Sequence, residues 1–343
     1  FAIMAIESGA RKMNISGREM HDHRHLSDPK YGLQLMSDPY ILADEATQTY
    51  YLTCSGAGQC RSKDLVWWEG PYKVADPTGS WYGSGGFAAA AEIHKIGKYY
   101  YWAGTMGKTP REQIDAIPRR YNVSHNQTYL LRSEKAEGPY TPFAVYPNYD
   151  YQPSKWDCID GTLYEENGHV YFIFVHEWTQ IIDGTMDYVE LSPDLTYTIS
   201  PYPVTMFRAS ENPSVGEMNT LGEATFGLKL PGWVTDGPEM FRTKTGKLGM
   251  LWASWGKERY EQLVCYSESG TIEGPWVQEP EPFLANNSGH GMLFRTFGGK
   301  LIYVVHHVEA DGPRKPQYWE VDDSGDKLKL GKQIIVDEKF NIK

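Results

Sequence analysis

Carboxylates give the first chemical signal in this chain of 343 residues. Asp38, Asp160 and Asp236 each stand directly before Pro or Gly, in SDPYIL, IDGTLY and TDGPEMF, and Glu92 holds a related place in AAEIHKI. Asp before Pro or Gly is ordinary turn chemistry, because the side chain caps its own backbone. Three at the same point of a repeated unit are another matter, since their mutual repulsion must be tolerated for some reason. Clustered carboxylates raise one another's pKa, which is what a general acid needs beside a general base. A further carboxylate, Glu177 in VHEW, and the imidazole of His290 in SGHGMLF occupy comparable points.

The unit that positions them recurs five times: 37–54, 90–105, 159–177, 235–254 and 288–307. Each copy reads as a short strand opened by a small or polar residue, a polar hairpin, then an aromatic or aliphatic strand. The last two copies share FRTxxGKL. A third strand with a Glu-Gly-Pro-aromatic corner follows three of the copies, in CRSKDLVWWEGPY, LLRSEKAEGPY and CYSESGTIEGPW, and VELSPDLTYT is a looser version. The key polar positions 38, 92, 160, 236 and 290 lie 54, 68, 76 and 54 residues apart, a spacing that fits four-stranded blades with loops.

The expected fold is therefore all-β, a five-bladed β-propeller with its active site at the mouth of the central channel. Residues 35–330 form the propeller. Residues 1–34 are an extension and 331–343 a tail, and the segments before Leu35 and after Lys329 are expected to pair into a terminal blade, removing exposed sheet edges. Long stretches at 76–88, 106–127 and 208–232 read as loops over one face. Residues 111–118 predict one or two helical turns before Pro118.

In such a ring the innermost strand of each blade lines the channel, and its opening residues share a rim with the end of the second strand. The openers are Asp38, Ala90 with Glu92 two residues deeper, Asp160, Asp236 and the Gly289-His290 pair. Side chains two apart share a strand face, so Glu92 faces the channel if Ala90 does. His290 aligns one place after Asp236, and it faces the channel only if a bulge or twist corrects the phase. Trp102, Trp178 and Trp252 end second strands, with Trp255 just beyond; each reads as core or as a wall of a sugar pocket, and Trp178, beside His176 and Glu177, belongs at the rim.

Composition narrows the partners. The formal net charge is −11, which argues against nucleic acid or an anionic membrane surface, both of which need clustered Lys and Arg. No run approaches the roughly 18 apolar residues of a membrane span. The chain has 24 Tyr and 11 Trp, side chains that stack on sugar rings and keep a polar tip. Composition alone leaves a sugar-stacking surface and a Tyr-rich core with no ligand equally open; the start at Phe1 reads as a processed chain, and the expected location is secreted or periplasmic. Cys54 and Cys60 could close a small disulfide loop; otherwise the four cysteines read as small buried hydrophobes.

Taken in order on this repeat, SDPYIL, IDGTLY, TDGPEMF and SGHGMLF resemble the family 43 glycoside hydrolases, from about Leu35 to Lys329. That resemblance implies a five-bladed propeller hydrolysing arabinofuranosides, xylosides or galactosides with inversion. It implies Asp38 as the base that activates water and Asp160 as the group that tunes and orients the acid. The family's acid is a Glu in a Glu-Gly-Pro or similar motif, and this chain carries Asp236 there. Asp236 is the first candidate acid and Glu177 the second. Glu239, three residues along the strand, is expected to face away from Asp236. The resemblance also implies a channel ion, calcium, facing His290 directly or through water, and no organic cofactor.

The reading is an exo-acting, inverting glycosidase, an α-L-arabinofuranosidase on plant-type polysaccharides or oligosaccharides. Glu92, Trp178, Trp102, Trp255 and His290 are the expected substrate contacts. β-Xylosidase and galactofuranosidase are its rivals within the class, a non-catalytic sugar-binding propeller or an interaction scaffold outside it. His21, His23 and His25 read as a surface loop, and GSGG at 83–86 lacks the strand–helix context of a phosphate loop.

Overall fold

In this computed structural model the described residues are 37–55, 58–80, 88–107, 112–117, 122–218, 231–308 and 314–334, with the backbone of the short strands Lys12–Met13, Glu19–Met20 and Arg24–His25. Each of the five repeats forms the two inner strands of one antiparallel sheet, and the five sheets are the blades of a five-bladed β-propeller. The innermost strands are Tyr40–Asp44, Ala88–Ile96, Cys158–Glu166, Asp236–Arg242 and Ser288–Arg295, in blades one to five. Each pairs with the next strand in sequence through a short hairpin.

The second strands, such as Tyr99–Gly107 and His169–His176, are buried along nearly their whole length. That is why they read as unbroken aromatic and aliphatic runs: sheet packs on both of their faces. The core is accordingly divided into wedges between neighbouring blades. Ile173, Val175 and Phe207 of blade three meet Met250 and Trp252 of blade four, and Leu251 and Val264 of blade four meet Tyr303 and Val305 of blade five.

The ring closes by the same kind of packing. Ile41, Tyr50 and Trp68 of blade one lie against Met292, Phe294, Ile302 and Val304 of blade five. The expected pairing of the two chain ends into one terminal blade falls largely on residues outside the described ones. Arg24–His25 adds to the outer strand of blade one, and Lys329–Ile334 completes blade five. The three Glu-Gly-Pro corners are all cis at Pro71, Pro139 and Pro275.

Three smaller expectations change. Gln113–Asp115 is a strand paired with Asn122–Ser124, not a helical turn, and a four-residue helix that the periodicity did not signal, Trp178–Ile181, follows Glu177. Cys54 and Cys60 form no disulfide, and all four cysteines are buried. The side chains of the 21–25 histidines and the GSGG run lie outside the described residues. No helix among the described residues is long and apolar enough to cross a membrane.

Candidate active site

One backbone device, repeated five times, builds the site. Asp38, Ala90, Asp160, Gly237 and His290 all have left-handed backbones, with φ between 48° and 60°. In blades two to five the register slips there: Ala89 and Glu92 oppose Thr105 and Ala103, and the same step recurs at Ile159/Thr162, Asp236/Glu239 and Gly289/Met292. This is a β-bulge, which inserts one residue, bends the strand and frees an amide from the ladder.

The freed amides stitch the ring together. Asp38 N–H donates to His306 Nδ1 of blade five at 3.1 Å, and Ala90 N–H donates to Ser55 Oγ of blade one at 3.1 Å. Asp160 N–H reaches Thr105 Oγ1 of blade two at 2.8 Å, and Gly237 N–H reaches the Asp160 carboxylate of blade three at 3.1 Å.

The bulge supplies the phase correction that the sequence left open for His290. His290 is the register equivalent of Asp38 and Asp160. Asp236 stands one residue earlier, where the other blades carry Ser37, Ala89, Ile159 and Gly289. Both positions reach one cavity of about 340 Å³, whose walls include Asp38, Asp160, Asp236, Trp255, Tyr260, His290, His306 and Arg314. That volume is at the small end for small-molecule sites.

The three aspartates differ sharply in environment. Asp38 Oδ1 lies 3.0 Å from His290 Nδ1, and its Oδ2 accepts from Ser55 Oγ at 2.7 Å. Burial would raise its pKa, but the charge and hydrogen bond of His290 outweigh it, holding Asp38 well below the usual carboxylate range. His306 is kept below its ordinary value by burial, so it is neutral and accepts the Asp38 amide proton.

Asp236 is the opposite case. Burial and the Asp160 charge push it up to about 8, against the pull of His290 and of Tyr260, whose hydroxyl donates to Asp236 Oδ2 at 2.9 Å. Asp160 is raised by burial and by Asp38, against His290 and the Gly237 amide. Burial alone would strip the proton from His290, yet Asp38 and Asp160 hold its pKa up at about 10. An ionised carboxylate, a protonated one and an imidazolium thus share one cavity near neutral pH. That is the division of states that general acid–base chemistry requires.

A glycine in blade four makes this possible. A Cβ on Gly237 would lie 2.6 Å from His290 Cγ. Ala90 shows that a side chain tolerates the same left-handed backbone in blade two, so it is the His290 ring that requires glycine here.

One layer deeper, the +2 residues of three blades, Glu92, Thr162 and Glu239, come together. Glu92 accepts a hydrogen bond from Thr162 and feels Asp160, while the carboxyl of Glu239 feels Glu92 and His290. Burial pushes Glu92 up to about 8 and drives His94 down to about 4, so their 2.7 Å contact joins neutral groups. The bulge thus sets Glu239 beneath the site, where a regular strand would have turned it away. Glu92 is beneath the site too and is not among the cavity walls.

Other expected contacts fall elsewhere. Trp102 is fully buried, so its ring cannot face a sugar. Trp178 is buried against Met218 and Val234, because the short helix after Glu177 turns it inward. Trp255 does line the cavity. Glu177 is raised well above its usual value by burial and by Asp157, Asp236 and Asp160, but it is not among the walls. Tyr260, His306 and Ser55 were missed. His306 had a signal, as the polar end of a second strand; Tyr260, which opens a third strand, had none.

The implied calcium can be tested against these donors. His290 Nδ1 is engaged by Asp38, and among the described residues no three His, Cys, Asp or Glu side chains are grouped to hold a metal ion. Calcium takes six to eight oxygen ligands. These side chains alone do not make such a set.

Comparison with known proteins agrees with this architecture. No curated protein matches the chain. Among solved structures it is similar to an endo-arabinase from Bacteroides thetaiotaomicron, at 29% identity and TM-score 0.71, covering 89% of this chain and 96% of that one. A thermostable family-43 glycoside hydrolase has 20% identity and TM-score 0.69, covering 89% and 96%. An α-L-arabinofuranosidase from Lactobacillus brevis has 15% identity and TM-score 0.60, covering 92% and 98%. The profile described as "Glycosyl hydrolases family 43" matches residues 33–325. With most of its length matched and five bladed repeats converging on one carboxylate-lined cavity, the chain belongs to glycosyl hydrolase family 43.

Proposed function

We propose that this glycoside hydrolase removes terminal sugars, α-L-arabinofuranose first among them, from plant-type polysaccharides or oligosaccharides by inverting single displacement. The observation that carries the reading is the presence of Asp38, Asp160 and Asp236 around one cavity of about 340 Å³, with Asp38 ionised and Asp236 protonated near neutral pH.

In this reading Asp38 takes a proton from water as the water attacks the anomeric carbon. His290 and Ser55 hold the carboxylate for that attack. Asp236 gives its proton to the departing glycosidic oxygen, so the alkoxide never forms free. Asp160 serves the acid twice. Its charge helps keep Asp236 protonated, and its bond to the Gly237 amide fixes the bulge that carries Asp236. Trp255 offers an apolar ring face to the sugar.

The small cavity supports action on a terminal unit. The 29% identity to an endo-arabinase favours a second reading, internal cleavage of arabinan. A panel of nitrophenyl glycosides followed by linear arabinan separates the two. Release of arabinose alone, with nitrophenyl α-L-arabinofuranoside hydrolysed, supports the exo reading. Oligosaccharides as the first products point to internal cleavage. Silence on every substrate leaves a sugar-binding propeller.

A further inference from the structure

Asp236 is one methylene shorter than the glutamate of the family's motif, and its Oδ2 accepts the Tyr260 hydroxyl at 2.9 Å. Tyr260 has little freedom to be anywhere else. Its ring lies parallel to His306 at 5.5 Å, with 4° between planes, and meets Trp255 at 5.2 Å. On a third side it rests on Gly289, where a Cβ would stand 2.3 Å from Tyr260 Cε1. His306 in turn accepts the Asp38 amide proton. One aromatic ring therefore spans from the support of Asp38 to Asp236.

We propose that Tyr260 is a positioning residue for the reaction, pinning Asp236 by Oδ2 so that Oδ1 carries the proton toward the glycosidic oxygen. A phenol has one proton to donate. Given to Oδ2, it makes that oxygen an acceptor, and the acidic proton must sit on Oδ1. A short aspartate with a free torsion would deliver its proton over a wide arc; one oxygen anchored to a ring clamped on three sides confines it. The inference rests on Asp236 being the acid. The charged or titratable groups facing Asp236 are Asp160, His290, Tyr260, Asp38 and Glu177. Of these, Tyr260 donates a hydrogen bond to it.

Tyr260→Phe keeps the stacked ring and deletes only the hydroxyl. Two readouts are taken: kcat and KM on an arabino-oligosaccharide and on the nitrophenyl glycoside, and the titration of the Asp236 carboxyl followed by ¹³C NMR. A hydrogen bond to a carboxylate favours its ionised form, so losing it should raise the Asp236 midpoint by roughly one pH unit. The expected kinetic result is a tenfold or greater loss of kcat on the oligosaccharide, nearly unchanged KM, and little change on the nitrophenyl glycoside. An unmoved titration would overturn the anchoring itself. A moved titration with equal losses on both substrates would leave the anchor standing and remove Asp236 as the acid. A raised KM with kcat intact would make Tyr260 a sugar contact, which also overturns the proposal.

Discussion

Asp236→Asn separates acid catalysis from every other role the cavity offers. Asparagine preserves the side-chain volume and can still accept from Tyr260 through its amide oxygen, so the local geometry survives while the transferable proton is lost. With its midpoint at about 8, Asp236 is about nine-tenths protonated at neutral pH. The parent enzyme thus holds the acid form almost fully, and removing it should cost the whole acid contribution. That contribution is about 10² to 10⁴ in rate, or roughly 3 to 5 kcal/mol of transition-state stabilisation. The loss should appear only where a proton is needed. A sugar alkoxide leaves poorly without one, whereas a nitrophenolate departs unaided. The assay is kcat/KM on an arabino-oligosaccharide and on the nitrophenyl glycoside across the basic limb of the pH profile. The expected outcome is the full loss on the oligosaccharide, a few-fold change on the nitrophenyl glycoside, and a flattened basic limb. Equal loss on both substrates would refute the reasoning. So would the selective loss arising from Glu177→Gln instead.

Asp38→Asn should lower turnover by about 10² to 10⁴ on both substrate types, because water needs a base whatever the leaving group; near-normal turnover would place water activation elsewhere. Asp160→Asn removes a charge that helps hold the Asp236 proton, so the basic limb should move to lower pH, and an upward or absent shift would contradict the electrostatics. Gly237→Ala should leave the fold nearly intact by circular dichroism, at a backbone cost of about 1 to 2 kcal/mol for a side chain in the left-handed region, and lower activity at least tenfold by displacing His290. Full activity would show that the ring contact is unimportant.

The bladed fold was legible because each blade repeats one local pattern and its buried second strand is an unbroken apolar run. The carboxylates were legible because they open the inner strands. What stayed hidden was the phase. Strand alternation alone set Asp236 beside Asp38 and Asp160, left His290 unresolved and turned Glu239 away. A bulge in blades two to five, each with a left-handed residue, brings His290 to the cavity and sets Glu239 beneath it, while Asp236 stays with Asp38 and Asp160. Left-handed backbone at Asp38, Ala90, Asp160 and His290 has no glycine to announce it. The tryptophans misled for a different reason. Trp102 lies within the strand Tyr99–Gly107, not at its end, and is absorbed in a wedge between blades, while Trp178 is taken up by a short helix. Tyr260 could not be found from spacing, because its link to Asp236 exists only across the folded sheet of blade four.

The central claim is that Asp38 activates a water molecule that displaces the leaving group in one step. The configuration at the anomeric carbon of the first sugar released, followed by proton NMR before mutarotation, tests it most directly. The account predicts the inverted anomer. The retained anomer would mean that a carboxylate attacked the sugar and formed a covalent intermediate, and it would contradict the roles assigned to Asp38 and Asp236.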